Sequence, residues 1–257
     1  EAQALGYAEA DPTFDIEGID AAHKLTILAS IAFGIPLQFD KVYIEGISRI
    51  TREDVAYAEQ LGYRIKHLGI ARRDERGAQL RVHPTLIPQR QLLASVSGVM
   101  NAVLVRGDAV GQSLFYGAGA GAEPTASAVV ADIIDVVRTL TVDPDNRVPH
   151  LAFQPDALSD LPVLPMTEVE TCYYLRLQAV DRSGVLADVT RILADRDISI
   201  EAVLQKEPPP GARDVPIILL TYRVREQRMN EAIAAIEALD SIHAPVVRIR
   251  MEHLNSD

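Results

Sequence analysis

Apolar residues in this chain repeat with two periods, and the change between them outlines the elements. Helical spacing is predicted over about 18–33, over Arg52–Gln60, over about 125–140, and again over Val185–Asp195 and Met229–Leu239. In the fourth of these, Val185, Leu186, Val189, Ile192 and Leu193 fall on one stripe. Shorter β-rich runs lie between the helices: Arg64–Ala71, Gln79–Pro84, Val99–Arg106 and Val110–Tyr116, then Cys172–Ala179, Ile198–Gln205, Val215–Val224 and Val246–Met251. Turns such as Arg106-Gly107-Asp108 join the early strands, which predicts a mainly antiparallel sheet covered by helices. The later elements run β-α-β-β-α-β, the order of a ferredoxin-like sandwich. The fold class is therefore α+β. Between the two parts, 141–167 carries Pro144, Pro149, Pro155, Pro162 and Pro165 with no period, and reads as a linker or surface strap between domains at 1–140 and 168–257.

Composition narrows the function classes. Lys and Arg number 25 against 36 Asp and Glu, a formal charge of −11, which repels a phosphate backbone and argues against a nucleic-acid partner. The single cysteine, Cys172, leaves no disulfide framework and no cysteine-only metal cluster, and fits a reducing compartment such as the cytoplasm. The histidines lack zinc-ligand spacing, so no metal is expected. The apolar run Leu25–Leu37 is too short to span a bilayer and has neither the position nor the flanks of a signal peptide, so no membrane partner is expected.

Ionisable residues crowd near the start. Between Gly6 and Lys24, Glu9, Asp11, Asp15, Glu17 and Asp20 precede one lysine. On a helix beginning near Gly18, Asp20 and Lys24 share a face whose stripe continues through Ile27 and Ile31. Two readings stand. In one, the pair is an exposed ion pair, with Asp11 and Asp15 as turn and cap residues. In the other, Lys24 is partly desolvated by the apolar helix body and exchanges a proton, Asp20 holds it, and Glu9 and Asp15 accept from a cationic amine. A second candidate is Gly117-Ala118-Gly119-Ala120-Gly121 between a strand and a helix: either a tight turn, or a loop whose bare backbone lets a ligand approach. It lacks the context of a dinucleotide fingerprint, because no parallel strand follows the helix. The third is Asp181-Arg182-Ser183-Gly184-Val185-Leu186, either helix capping or a turn offering N–H groups to a carboxylate.

The stretch from Gly6 to Lys24, with its Asp15-Ile16-Glu17-Gly18-Ile19-Asp20 centre, resembles the signature of homoserine dehydrogenases. Val96-Ser97-Gly98-Val99-Met100-Asn101-Ala102 and Gly117–Asp132 are similar to later segments of that family, and 175–205 resembles an ACT domain, an amino-acid-sensing module. The resemblance implies interconversion of L-homoserine and L-aspartate 4-semialdehyde with NAD or NADP, in the route to threonine and methionine. It implies Lys24 and Asp20 as the catalytic pair, and Glu9, Asp15, Gly6 and Tyr7 around the substrate. It places Gly117, Ala118, Gly119, Ala120 and Gly121 near the nicotinamide, with the following helix packing on the cofactor domain. In the ACT part it implies an effector, threonine first, received by Asp181, Ser183, Gly184, Val185 and Leu186 and faced by Ile198, Ser199 and Ile200, between paired copies in a homodimer or larger homo-oligomer. The family opens with a nucleotide-binding domain, so this chain is expected to be a C-terminal piece, inactive alone. Rival readings are a non-catalytic amino-acid sensor and a lyase using Lys24 as a Schiff-base amine.

Overall fold

The computed structural model describes residues 11–142, 147–149, 151–205 and 214–254. A one-turn helix α1 (Thr13–Ile16) leads through Gly18 into α2 (Ile19–Phe33). Gly18 (φ +80°) and Gly34 (φ +63°) flank α2 in the left-handed region, the conformation glycine adopts without penalty. A short strand β1 (Tyr43–Ile44) precedes α3 (Arg52–Gln60). Thr51 and Asp54 start α3 with a reciprocal capping box, each side chain accepting from the other's backbone N–H. The hairpin β2 (Tyr63–Arg73) and β3 (Ala78–Pro88) follows, then β4 (Met100–Gly107), β5 (Gly111–Ala118) and α4 (Ala122–Leu140). The later part runs β6 (Glu170–Val180), α5 (Val185–Ala194), β7 (Ile200–Gln205), β8 (Asp214–Arg225), α6 (Glu226–Glu237) and β9 (Val247–Met251), the expected β-α-β-β-α-β order.

One seven-stranded sheet crosses both parts. Its path is β1-β3-β9-β6-β8-β7, with β2 paired to β3. The junction is a parallel pairing of β3 with β9, at Thr85↔Arg250 and Leu86↔Met251. Alternation along β6 explains how both faces of the sheet are used. Tyr173, Leu175, Leu177 and Ala179 point into a core under α5 and α6, while Tyr174 points the other way, toward Tyr57 and Ala58 of α3 and Leu86 of β3. The second part is thus clamped from behind by a helix of the first. A third core holds Ala22, Leu25 and Ala29 of α2 against Leu80 and Val82 of β3.

Two features differ from the pattern-based reading. The proline-rich segment expected to be a linker or strap is tied down at its described residues: the amide of Ala78 donates to the carbonyl of Pro162 (2.8 Å), that of Leu164 to Ala78 (2.8 Å), and that of Ser159 to Gly34 (2.7 Å). Leu161 and Val163 join the α2 core. The helix expected to close the first part does not cover its sheet. No residue of α4 is buried, and Val129, Val130, Ile133, Ile134, Val136, Val137 and Leu140 are each 45–67% exposed. The hairpin β4–β5 forms a sheet of its own, and offers no layer for α4 to complete.

Candidate active site and effector cavity

The acidic segment and α2 are built outward from Gly18. Asp11 accepts from the amide (3.1 Å) and hydroxyl (2.6 Å) of Thr13, and these bonds hold its carboxyl below the usual range. The ring of His23 stacks on Phe39 (4.0 Å) and Phe14 (5.9 Å), fastening α1 to α2. Lys24 Nζ donates to Asp20 Oδ2 at 2.6 Å, as the four-residue spacing requires. The expected desolvation of Lys24 is corrected in this chain: its side chain is 62% exposed. The physical reason is that the stripe meant to desolvate it is itself uncovered, Ile27 being 48% and Ile31 41% exposed. Asp15 lies exposed in α1, one turn ahead of Gly18. Gly6, Tyr7 and Glu9 lie outside the described residues.

The glycine segment splits. Gly117 and Ala118 end β5, and only 119–121 form the turn into α4. Gly119 has no room for a side chain: a Cβ there would lie 1.5 Å from Asn101 Nδ2, while its amide donates to the carbonyl of Val99 (2.8 Å). The Val96–Ala102 stretch and the glycine turn therefore meet. At Gly117 a Cβ would meet open space. The loop is bare backbone beside a helix N-terminus, so a ligand can approach its N–H groups closely, and it supplies no cationic side chain.

In the second part, Val180, Asp181, Arg182, Ser183, Gly184, Val185 and Leu186 line one cavity of about 270 Å³ with Gln205 and Ile217. Gly184 (φ +96°) is the left-handed N-cap of α5, a conformation glycine adopts without penalty, and the start of the helix lines the cavity. The structure brings together Asp181, Ser183, Gly184, Val185 and Leu186 as expected. Ile198, Ser199 and Ile200 do not line this cavity: Ile198 is 3% exposed and packs in the same core as Val185, Ile200 packs against that core, and the Ser199 carbonyl accepts from the amide of Tyr222 (2.9 Å). Gln205 and Ile217 take their place, being register partners at the far end of β7 and β8.

A buried ionic network at the β3–β9 junction carries no local signal in the sequence. Arg250, fully buried, bonds both oxygens of Glu226, Glu45 Oε2 (2.7 Å) and the hydroxyl of Tyr43 (3.0 Å). Tyr173 donates to Glu226 (2.7 Å). Burial alone would raise the Glu226 carboxyl, but Arg250 and Arg248 outweigh it and hold it below the usual range. Arg81 and Arg72 both pair with Glu252. On the α3 side, Arg176 Nε bonds Asp54 Oδ1 (2.7 Å) and its Nη2 bonds Oδ2 (3.1 Å); burial opposes ionisation of Asp54, and these bonds with Thr51 overcome it.

Residues 1–134 match the homoserine dehydrogenase family, and 173–241 match the ACT domain. The chain belongs to the homoserine dehydrogenase family. It is 70% identical over 255 residues to the homoserine dehydrogenase of Pseudomonas aeruginosa and 56% identical over 258 to that of Neisseria gonorrhoeae, covering 99% of this chain in each case but only 59% and 58% of those proteins. A crystal structure of a homoserine dehydrogenase from Thiobacillus denitrificans superimposes with a TM-score of 0.91 at 68% identity, covering 99% of this chain and 57% of that one. The chain thus spans slightly over half the length of the homoserine dehydrogenases it matches. The matched homoserine dehydrogenase segment contains α2 with Asp20 and Lys24 and the whole glycine turn, and the matched ACT segment contains every residue lining the 270 Å³ cavity.

Proposed function

We propose that the protein interconverts L-homoserine and L-aspartate 4-semialdehyde, using NAD or NADP, within amino-acid biosynthesis leading to threonine and methionine. The observation that carries this reading is the Asp20–Lys24 pair, closed at 2.6 Å at the head of α2 inside the family-matched segment. A nicotinamide held beside this site would supply the hydride that reduces the aldehyde carbon. The oxygen left negative takes its proton from the Lys24 ammonium, which also stabilises the charge as it develops. Asp20 holds that ammonium in one position. Glu9 and Asp15 accept from the substrate's amino group, with Gly6 and Tyr7 beside them. Gly117 and Ala118, with the turn 119–121, border the nicotinamide, while the rest of the cofactor is held by protein outside this chain, so the chain alone turns over poorly. The uncovered face of α4 and the Ile27–Ile31 stripe are the surfaces such protein would cover, and that cover would desolvate Lys24. The cavity at the start of α5 receives an amino-acid effector, threonine first, through its carboxylate, in a homodimeric cytoplasmic enzyme.

The test uses full-length protein. Homoserine-dependent reduction of NAD or NADP is expected, and Lys24→Ala should lower kcat by roughly 10²–10⁴-fold, the usual contribution of a positioned acid or base. A Lys24→Ala protein that folds and keeps its kcat would rule the assignment out. Calorimetric titration with threonine, with Gly184→Val as the blocked control, tests the effector.

A further inference from the structure

The start of α2 is held by a loop that is in turn held by Arg250. The turn Ile16-Glu17-Gly18 that launches α2 lies against the loop Glu45-Gly46-Ile47: the amide of Ile47 donates to the carbonyl of Ile16 (2.8 Å), and a Cβ on Gly46 would lie 2.7 Å from Glu17 Cα. His67 closes the third side. Its Nε2 lies 3.0 Å from the Glu45 carbonyl oxygen, and a Cβ on Gly18 would sit 2.8 Å from its Cε1. Gly18 stands two residues before Asp20 and six before Lys24, so a shift of this turn moves the pair. Glu45 is held at its backbone, where its amide donates to the Val82 carbonyl (2.8 Å), and at its carboxylate, which accepts from Arg250 Nη1 (2.7 Å) and the Tyr43 hydroxyl (2.7 Å). Arg250 itself cannot follow Glu45 outward. It is fully buried in β9, clamped by both oxygens of Glu226 and stacked at 4.9 Å over the Tyr43 ring.

We infer that Arg250 is a positioning residue for the Asp20–Lys24 pair, acting through Glu45 and the turn that begins α2. The inference rests on the proposed reading of that pair as the catalytic acid and its holder. Arg250 lies beyond the segment matched as ACT, on the strand that joins the two parts of the sheet, so the geometry of the candidate active site depends on a residue supplied by the sensing half of the chain. A misplacement of about 1 Å at a reacting group costs up to roughly 10²-fold in rate, so a modest loosening of the turn suffices for a measurable effect.

The experiment is Glu45→Gln in full-length protein. The side chain is 28% exposed and the Arg250–Glu226 pair stays intact, so the variant removes the link without leaving Arg250 unpaired. Arg250→Lys, which keeps the charge but not the fork, is the second variant. Both should lower kcat by about tenfold or more, with the KM for the nicotinamide cofactor within roughly twofold, and the double variant should be no worse than the worse single. Deuterium exchange in the peptide 16–25 should quicken at least threefold while 214–225 is unchanged. The proposal requires both effects. Unchanged kcat, or slowed turnover with unchanged exchange at 16–25, overturns it. A parent protein with no homoserine-dependent reduction defeats the enzymatic reading instead, and exchange at 16–25 then still decides whether Arg250 and Glu45 hold the turn.

Discussion

His83 sits in β3 with no exposed surface, facing the Arg81 and Arg250 guanidinium groups. Its Nδ1 is 3.0 Å from the carbonyl oxygen of Pro84, which places the proton there, and its Nε2 has no hydrogen-bond partner among the described residues. Burial first, then the charges of Arg250 and Arg81, push its pKa well below the ordinary value of 6.5. The ring is neutral in the folded protein and takes up a proton on unfolding at mildly acid pH. Its contribution to stability is therefore complete above about pH 6.5 and is lost as the pH falls below that value, at up to about 1.4 kcal/mol per pH unit. His67, also lowered by burial, adds a loss of the same sign. Urea unfolding at pH 7, 6 and 5 should show this decline, and His83→Asn should reduce its slope by about one proton. An identical slope in the variant would show that His83 is not the group responsible. At this scale the sequence is legible where partners are near. Asp20 and Lys24 are found by spacing, but the Arg176 that neutralises Asp54 is 122 residues away and nothing local announces it.

At the scale of elements, β3 shows why the joined sheet is hidden from pattern reading. In Ala78–Pro88 the polar residues Gln79, Arg81, His83 and Thr85 alternate with Leu80, Val82 and Leu86, which reads as a strand with one wet face. Apart from half-buried Gln79, every residue of it is buried, and Glu252 from the end of the chain brings the matching charge to Arg81 on the polar face. Helices α2, α3, α5 and α6 lie within a few residues of their expected limits, since each has its own apolar stripe. The expected strand from Ile198 begins at Ile200, because the turn through Asp197 (φ +54°) folds Ile198 into the core first. A second element-scale consequence follows from the contact between β4 and the glycine turn. Gly119→Ala places a methyl group where Asn101 Nδ2 now sits, so the Asn101 side chain must swing away from the turn. In full-length protein this substitution should weaken nicotinamide cofactor binding by about tenfold or more, the loss of roughly 1.4 kcal/mol, with the melting temperature little changed because this hairpin lies outside the large sheet. Gly117→Ala, which meets open space, serves as the control. Equal cofactor affinity in the Gly119→Ala protein would show that the turn is not next to the nicotinamide.

Across the whole molecule, the apolar surface is distributed unevenly. The large sheet is well packed, while Val103, Val105, Phe115 and Tyr116 of the hairpin and seven apolar side chains of α4 stand 41–67% exposed. An uncovered patch of this kind on a folded protein marks a surface that another body covers, and a helix apolar around much of its circumference has a partner on more than one side. The chain on its own is therefore expected to associate. Sedimentation at about 10–100 µM should show species larger than a monomer, the upper end being typical of weak self-association, and an environment-sensitive hydrophobic dye should bind. Replacing Ile133 and Val137, four residues apart on α4, with glutamate puts two charges on that face and should shift the distribution toward the monomer without lowering the melting temperature, because neither side chain is buried. The net charge of −11 already disfavours association through the rest of the surface, so what remains is attributable to this patch. The same dye should bind less per chain in full-length protein, where the proposed reading has further protein covering α4. A monodisperse monomer at the higher concentration, with no dye bound, would mean that α4 and the hairpin fold back on the sheet in solution.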